Sequence, residues 1–112
     1  SLNGSVKLIQ KALLIKQDDS DALLALGIIY SRKMMHEKAI EAFYQSVKSS
    51  RDNRMTAEAY NNIGKNYYQL KQYKKSLEAF ARGVEEDPTN EEIRLNRKTA
   101  TQAYESEIDR MQ

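Results

Sequence analysis

The chain predicts an all-α fold made of stacked helical hairpins, and three observations predict it. Leu23, Leu26, Gly27, Tyr30, Ala39 and Phe43 recur in the same order and spacing as Tyr60, Ile63, Gly64, Tyr67, Ser76 and Phe80. Self-similarity at a fixed period names a repeat architecture before any single element is assigned. Helix breakers are scarce, with one Pro and four Gly in 112 residues, and no stretch alternates apolar and polar residues as a strand does. Apolar residues instead fall at helical spacing, as in Val6, Ile9 and Leu13, or Ile93, Ala100, Tyr104, Ile108 and Met111.

About six helices follow from this pattern, at roughly 5–16, 20–32, 37–49, 55–70, 73–86 and 90–110. Asp18, just ahead of the acidic Asp21, is placed to cap the second helix. Asp52 or Asn53 caps the fourth. Thr89 and Glu92 form a capping-box pair behind Pro88 at the start of the last. Gly27 and Gly64 fall in mid-helix, where Gly costs about 1 kcal/mol relative to Ala. Close approach of the two helices of a hairpin explains them. The small residues Ala39 and Ser76 stand opposite, and Tyr30, Tyr67, Phe43 and Phe80 fill the space around each contact.

Bulk properties narrow the function. The length is that of one domain. A net charge of +2 is too close to neutral to imply nucleic acid. The basic clusters Lys71, Lys74, Lys75 and Arg94, Arg97, Lys98 are interleaved with acids and read as solvated faces. No run approaches the length of a membrane span, so no membrane insertion is expected. Cysteine is absent, which excludes disulfides and thiolate chemistry and suits a cytoplasmic setting without requiring one. The chain opens on Ser1 rather than Met and reads as a piece of a longer protein.

No catalytic site is expected. His36 is the only histidine, it lies at a hairpin turn, and no nucleophile or orienting acid is patterned around it. The acids Glu85, Glu86, Asp87, Glu91 and Glu92 lack the spacing of a cation-binding loop and read as a solvated hairpin end, so no metal is expected.

The repeated pattern resembles the tetratricopeptide repeat, a helix-turn-helix unit of about 34 residues. In that register the chain is a single domain, 1–112, with one unit at 20–53 and another at 57–90. The second carries Tyr60, Ile63, Gly64, Tyr67, Tyr73, Ser76, Phe80, Gly83 and Pro88 at the family's positions. The first departs, with Leu23, His36 and Arg51 where Trp or Tyr, Tyr and Pro are usual. Arg54, Met55 and Thr56 are additional residues between the units. Residues 5–19 resemble the second helix of a preceding half repeat, and 91–112 form a C-terminal capping helix.

The resemblance implies a right-handed solenoid that acts as a non-catalytic protein-binding module without cofactors. Its partner would be a peptide or helix lying in the groove lined by the first helix of each unit. At the lining positions stand Leu24, Ile28, Asn61, Asn62, Lys65 and Tyr68. Leu24 and Ile28 offer apolar contact on one helical face, and Asn61, Asn62 and Lys65 offer hydrogen-bond donors beside Tyr68. Some members of the family hold a C-terminal carboxylate with Lys and Asn side chains. Here only Asn62 matches, with Leu24, Ile28, Glu92 and Asn96 at other positions, so that mode is not expected.

A structural alternative stands beside this one, in which the repeats serve self-association or assembly of a longer scaffold. The first helix carries Leu8 and Ile15 on one face, beyond the stripe Val6, Ile9 and Leu13. That surplus face predicts a cover, either an upstream helix or a second copy in a two-fold homodimer.

Overall fold

The computed structural model describes residues 2–15 and 19–112, and their side chains outside 12–15. Among the described residues all regular structure is helical: α1 (Leu2–Ile15), α2 (Ser20–Arg32), α3 (His36–Ser49), α4 (Asn53–Gln69), α5 (Tyr73–Glu86) and α6 (Glu91–Met111).

The helix starts follow local chemistry. Asp19 caps α2, its side chain accepting from the Ala22 amide at 3.1 Å. The other candidate, Asp18, lies outside the described residues. Asp52 caps α4 through the amides of Arg54 and Met55. Helix α4 therefore begins two residues ahead of expectation, and Arg54, Met55 and Thr56 make up its first turn. At α6 the cap is Asn90 rather than Thr89, since the Asn90 side chain accepts from the Ile93 amide. The Thr89 hydroxyl is drawn to Asp87 at 3.0 Å.

Two tight turns join the hairpins and match bond for bond. After α2 the Met35 amide donates to the Tyr30 carbonyl and the Met34 amide to Ser31. After α4 the Gln72 amide donates to Tyr67 and the Lys71 amide to Tyr68. This is the Schellman closure of a helix C-terminus, and it places Met34 (φ 60°) and Lys71 (φ 61°) in the left-handed region.

Gly27 and Gly64 each lie under an aromatic ring of the facing helix. A Cβ on Gly27 would stand 2.6 Å from the Phe43 ring, and one on Gly64 would stand 2.5 Å from Phe80. The expected close approach is thus ring on backbone, with Phe43 and Phe80 both sealed. In the second hairpin the buried Ser76 hydroxyl also donates to the Gly64 carbonyl at 2.7 Å.

The core forms two clusters. Ala39, Ile40 and Phe43 of α3 meet Ala59, Tyr60 and Ile63 of α4, with Leu24 and Ala79 completing the first. Ile93 and Ala100 of α6 meet Ala57 and Phe80 in the second, with Tyr68, Leu77 and Val84 against it. The stripe expected on α6 is buried at Ile93 and Ala100 and half-buried at Tyr104 and Ile108. It ends there, because Met111 projects beyond the packed region and is exposed.

The backbones of α2, α4 and α6 approach one another in sequence, whereas those of α3 and α5 stay apart. The layer whose helices meet is the inner, concave one, and the splayed pair α3 and α5 forms the outside. Among the described residues, helix α1 packs on α2.

Candidate partner-binding site

The inner layer carries three hollows. One of about 410 Å³ lies between α2 and α4, lined by Ile28, Ser31, Arg32, His36, Asn62, Lys65 and Gln69 among others. One of about 590 Å³ lies between the N-terminal ends of α4 and α6, rimmed by Asp52, Arg54, Glu58, Asn62, Lys65, Asp87 and Glu92. A smaller one of about 170 Å³ is bounded by Lys65, Tyr68, Gln69, Asn96 and Thr99. Lys65 lines all three. Its side chain is 54% exposed and, among the described residues, its ion pair is a 3.8 Å contact with Glu92. A surface pair of that length is worth less than about 1 kcal/mol and yields readily to a ligand.

The other sequence-predicted residues take different positions. Leu24 is 9% exposed and belongs to the core around Phe43 and Ile63, so it offers no groove surface. The physical reason is that α4 packs beside α2 and covers this side chain. Ile28, one turn further, is half-buried and borders the hollow. Tyr68 is half-buried, edge-on to Tyr73 with centroids 5.1 Å apart, and presents only part of its ring.

Asn61 also differs from expectation. It is buried, its Nδ2 donating to Glu92 Oε1 at 3.2 Å and its Oδ1 accepting from Asn96 Nδ2 at 2.9 Å. These two bonds tie α6 to α4 and, with the side chain buried, leave only the second N–H of the amide for a peptide at the rim of the hollow. Asn62 donates one N–H to the Glu58 carbonyl of its own helix at 3.1 Å, which leaves its oxygen and its second N–H to present. Leu8 is 70% exposed on α1. The side chain of Ile15 lies outside the described residues.

One feature escaped sequence reasoning. Asn66, 4% exposed, stands at the joint between the hairpins. Its Nδ2 donates to Ser31 Oγ at 2.9 Å and to the Asn62 carbonyl at 2.8 Å, and His36 Nδ1 lies 2.8 Å from its Oδ1. The Asn62 carbonyl can only accept, so the Asn66 nitrogen must face it and the oxygen must face His36. His36 therefore carries its proton on Nδ1. The partners are 30 and 35 residues away in sequence, so no local pattern could reveal them.

Among the described residues no three His, Asp or Glu side chains converge to hold a metal. No helix among them is long and apolar enough to cross a membrane.

Stacked hairpins with one exposed inner face define a class, the helical-repeat proteins. A family model for the tetratricopeptide repeat matches residues 18–85, and the chain belongs to that family. The first such domain of human RPAP3 is similar in fold, with a TM-score of 0.85, 17% identity, and coverage of 96% of this chain and 83% of that one. The domain of Sgt2 from Aspergillus fumigatus gives 0.82 at 21% identity, covering 93% and 68%. MamA gives 0.74 at 20% identity, covering 96% and 67%. A comparison with curated protein sequences finds no match. Domains of this family are in general protein–protein interaction modules.

Proposed function

We infer that the inner layer of α2, α4 and α6 captures an extended peptide of a partner protein without performing chemistry on it. The observation that carries this is the position of Lys65, exposed, held by one long ion pair among the described residues and common to all three hollows. The face is also polarised along the helix direction. Its α2–α4 hollow bears Arg32 and Lys65 against Glu58. Its other end bears Asp52, Glu58, Asp87 and Glu92 against Arg54 and Lys65. A peptide with an acidic residue toward Arg32, an apolar one on Ile28 and a basic one toward Asp52 and Asp87 is complementary to both ends. Such complementarity sets direction and on-rate more than raw affinity.

Selection from a peptide library tests this. Sequences with the acidic–apolar–basic order are expected, and Lys65→Glu is expected to lose them with its melting curve unchanged. Lys74→Glu, outside the hollows, should retain them. Unordered sequences, or binding indifferent to Lys65, would reject the inner face as the site.

A second reading rests on Leu8. Among the described residues, helix α1 packs on α2 and leaves this side chain exposed. A two-fold homodimer through α1 would cover it and serve scaffold assembly. Sedimentation across a concentration series, with Leu8→Lys as control, distinguishes a dimer from a monomer.

A further inference from the structure

The outer side of the molecule carries a hollow that neither the fold nor the inner face accounts for. Tyr44 of α3, Tyr60 and Tyr67 of α4, and Lys75 and Arg82 of α5 surround about 310 Å³ floored by Ala79, in the gap where the backbones of α3 and α5 stay apart. Lys75, Ala79 and Arg82 are spaced four and three apart and share one face of α5. Lys75 Nζ sits 5.7 Å from the Tyr67 ring centroid, and the Arg82 guanidinium 5.0 Å from that of Tyr60. A cation over a ring is held by the ring's quadrupole. Both positive groups are thereby fixed at the mouth instead of sweeping through solvent.

The repeat separates what the hairpin needs from what this hollow adds. Lys38 lies 5.9 Å over Tyr30 in the first hairpin, as Lys75 lies over Tyr67 in the second. That pair belongs to the scaffold. Tyr44 and Arg82 do not recur. The second hairpin has Ala81 at the place of Tyr44, and the first has Gln45 at the place of Arg82. A hairpin of this type forms without either side chain, yet together they bring a phenol and a guanidinium to one hollow. Burial, and after it the neighbouring Tyr67, push the Tyr44 pKa up to about 12. The competing acid Glu85 is 3.6 Å from Arg82 Nε in an exposed pair, which a ligand displaces easily.

We propose that this outer hollow is a second binding site, taking a carboxylate side chain from an acidic peptide segment. Arg82 and Lys75 supply charge, and the guanidinium fork matches the two carboxylate oxygens. The Tyr67 phenol, which accepts from Tyr44, supplies a hydrogen bond, and the Tyr60 ring supplies a wall. A carboxylate suits the hollow better than a phosphate does, because Glu78 lines it too and repels a dianion more strongly.

The test is an NMR titration of the folded chain with a short poly-glutamate peptide at low salt. Resonances of Tyr44, Lys75 and Arg82 are expected to move together. Tyr44→Ala and Arg82→Gln install the residues that the other hairpin carries and so should preserve the fold. Each is expected to weaken the peptide by about ten-fold. Lys74→Gln, exposed on α5 outside the hollow, should change binding by less than about two-fold. Equal loss from Lys74→Gln, or shifts centred on Arg94 and Arg97, would mean diffuse attraction and overturn the site. Binding of inorganic phosphate tighter than that of the peptide would overturn the choice of ligand. Loss of the inner-face peptide on Lys65→Glu is a separate readout, so the two surfaces fail or stand independently.

Discussion

Met34 and Lys71 close equivalent turns with positive φ, a conformation that crowds the Cβ of any L-residue against the following carbonyl. Glycine has no Cβ to crowd and is the usual residue at this place of a Schellman closure. Met34→Gly and Lys71→Gly should each raise stability by about 1 kcal/mol, a gain reduced by the greater chain entropy of glycine when unfolded. Urea midpoints check this, and a lower midpoint for both variants would contradict the turn assignment. Tyr44 gives a second residue-scale expectation, in alkaline solution. Its pKa lies at about 12 in the fold, against 10.0 for the free side chain. The folded state holds the proton more tightly than the unfolded state, so this group's contribution is complete below pH 10 and is lost as pH rises toward 12. Phenolate absorbance should show a component ionising near pH 12, and Tyr44→Phe should remove that late component. Removal of an early component instead would refute it.

At the scale of the element, three glycines rank the tightness of helix contacts. A Cβ at Gly64 meets the Phe80 ring at 2.5 Å, whereas one at Gly83 meets the Ile93 branch methyl Cγ2 at 3.0 Å and the Ala57 carbonyl at 3.4 Å. The overlap at Gly64 forces a sealed ring to move, while at Gly83 a shift of a few tenths of an ångström by Ile93, itself buried, relieves the contact. Gly64→Ala should therefore cost about 1–3 kcal/mol, and Gly83→Ala distinctly less. Thermal melts giving the reverse order would show that the contacts are misassigned. These glycines also show why the hairpins were legible in the sequence. A mid-helix Gly that recurs with a Phe sixteen residues on is a steric statement, and it needs no knowledge of distant partners. The helix boundaries were legible less fully, because competing caps decide them. Asn90 takes the cap of α6 once Asp87 has engaged Thr89, a contest no spacing rule resolves. Leu24 shows the same limit for the site. Its helical face was readable, but its burial depends on how closely α4 approaches α2.

Across the whole molecule, which spans 51 × 27 × 19 Å, each hairpin contacts only its neighbours. Stability in such arrays is a sum of unit and joint contributions. The two joints are held by buried amides, Asn66 between the first hairpin and α4, and Asn61 between α4 and α6. Neither role could be read from sequence, since each bond joins residues some 30 to 35 positions apart. Asn61 consequently looked like a peptide donor when it is a strut. Truncating either amide strands its partners, at about 1–3 kcal/mol. The losses should fall in different places. Asn66→Ala leaves His36 and Ser31 unpaired and should lower hydrogen-exchange protection in α2 and α3 more than in α5 and α6. Asn61→Ala releases Glu92 and Asn96 and should lower it first in α6. Native-state exchange resolved by helix measures both. If each variant instead lowers protection equally in every helix, the molecule opens as one unit, and the joints do not divide it.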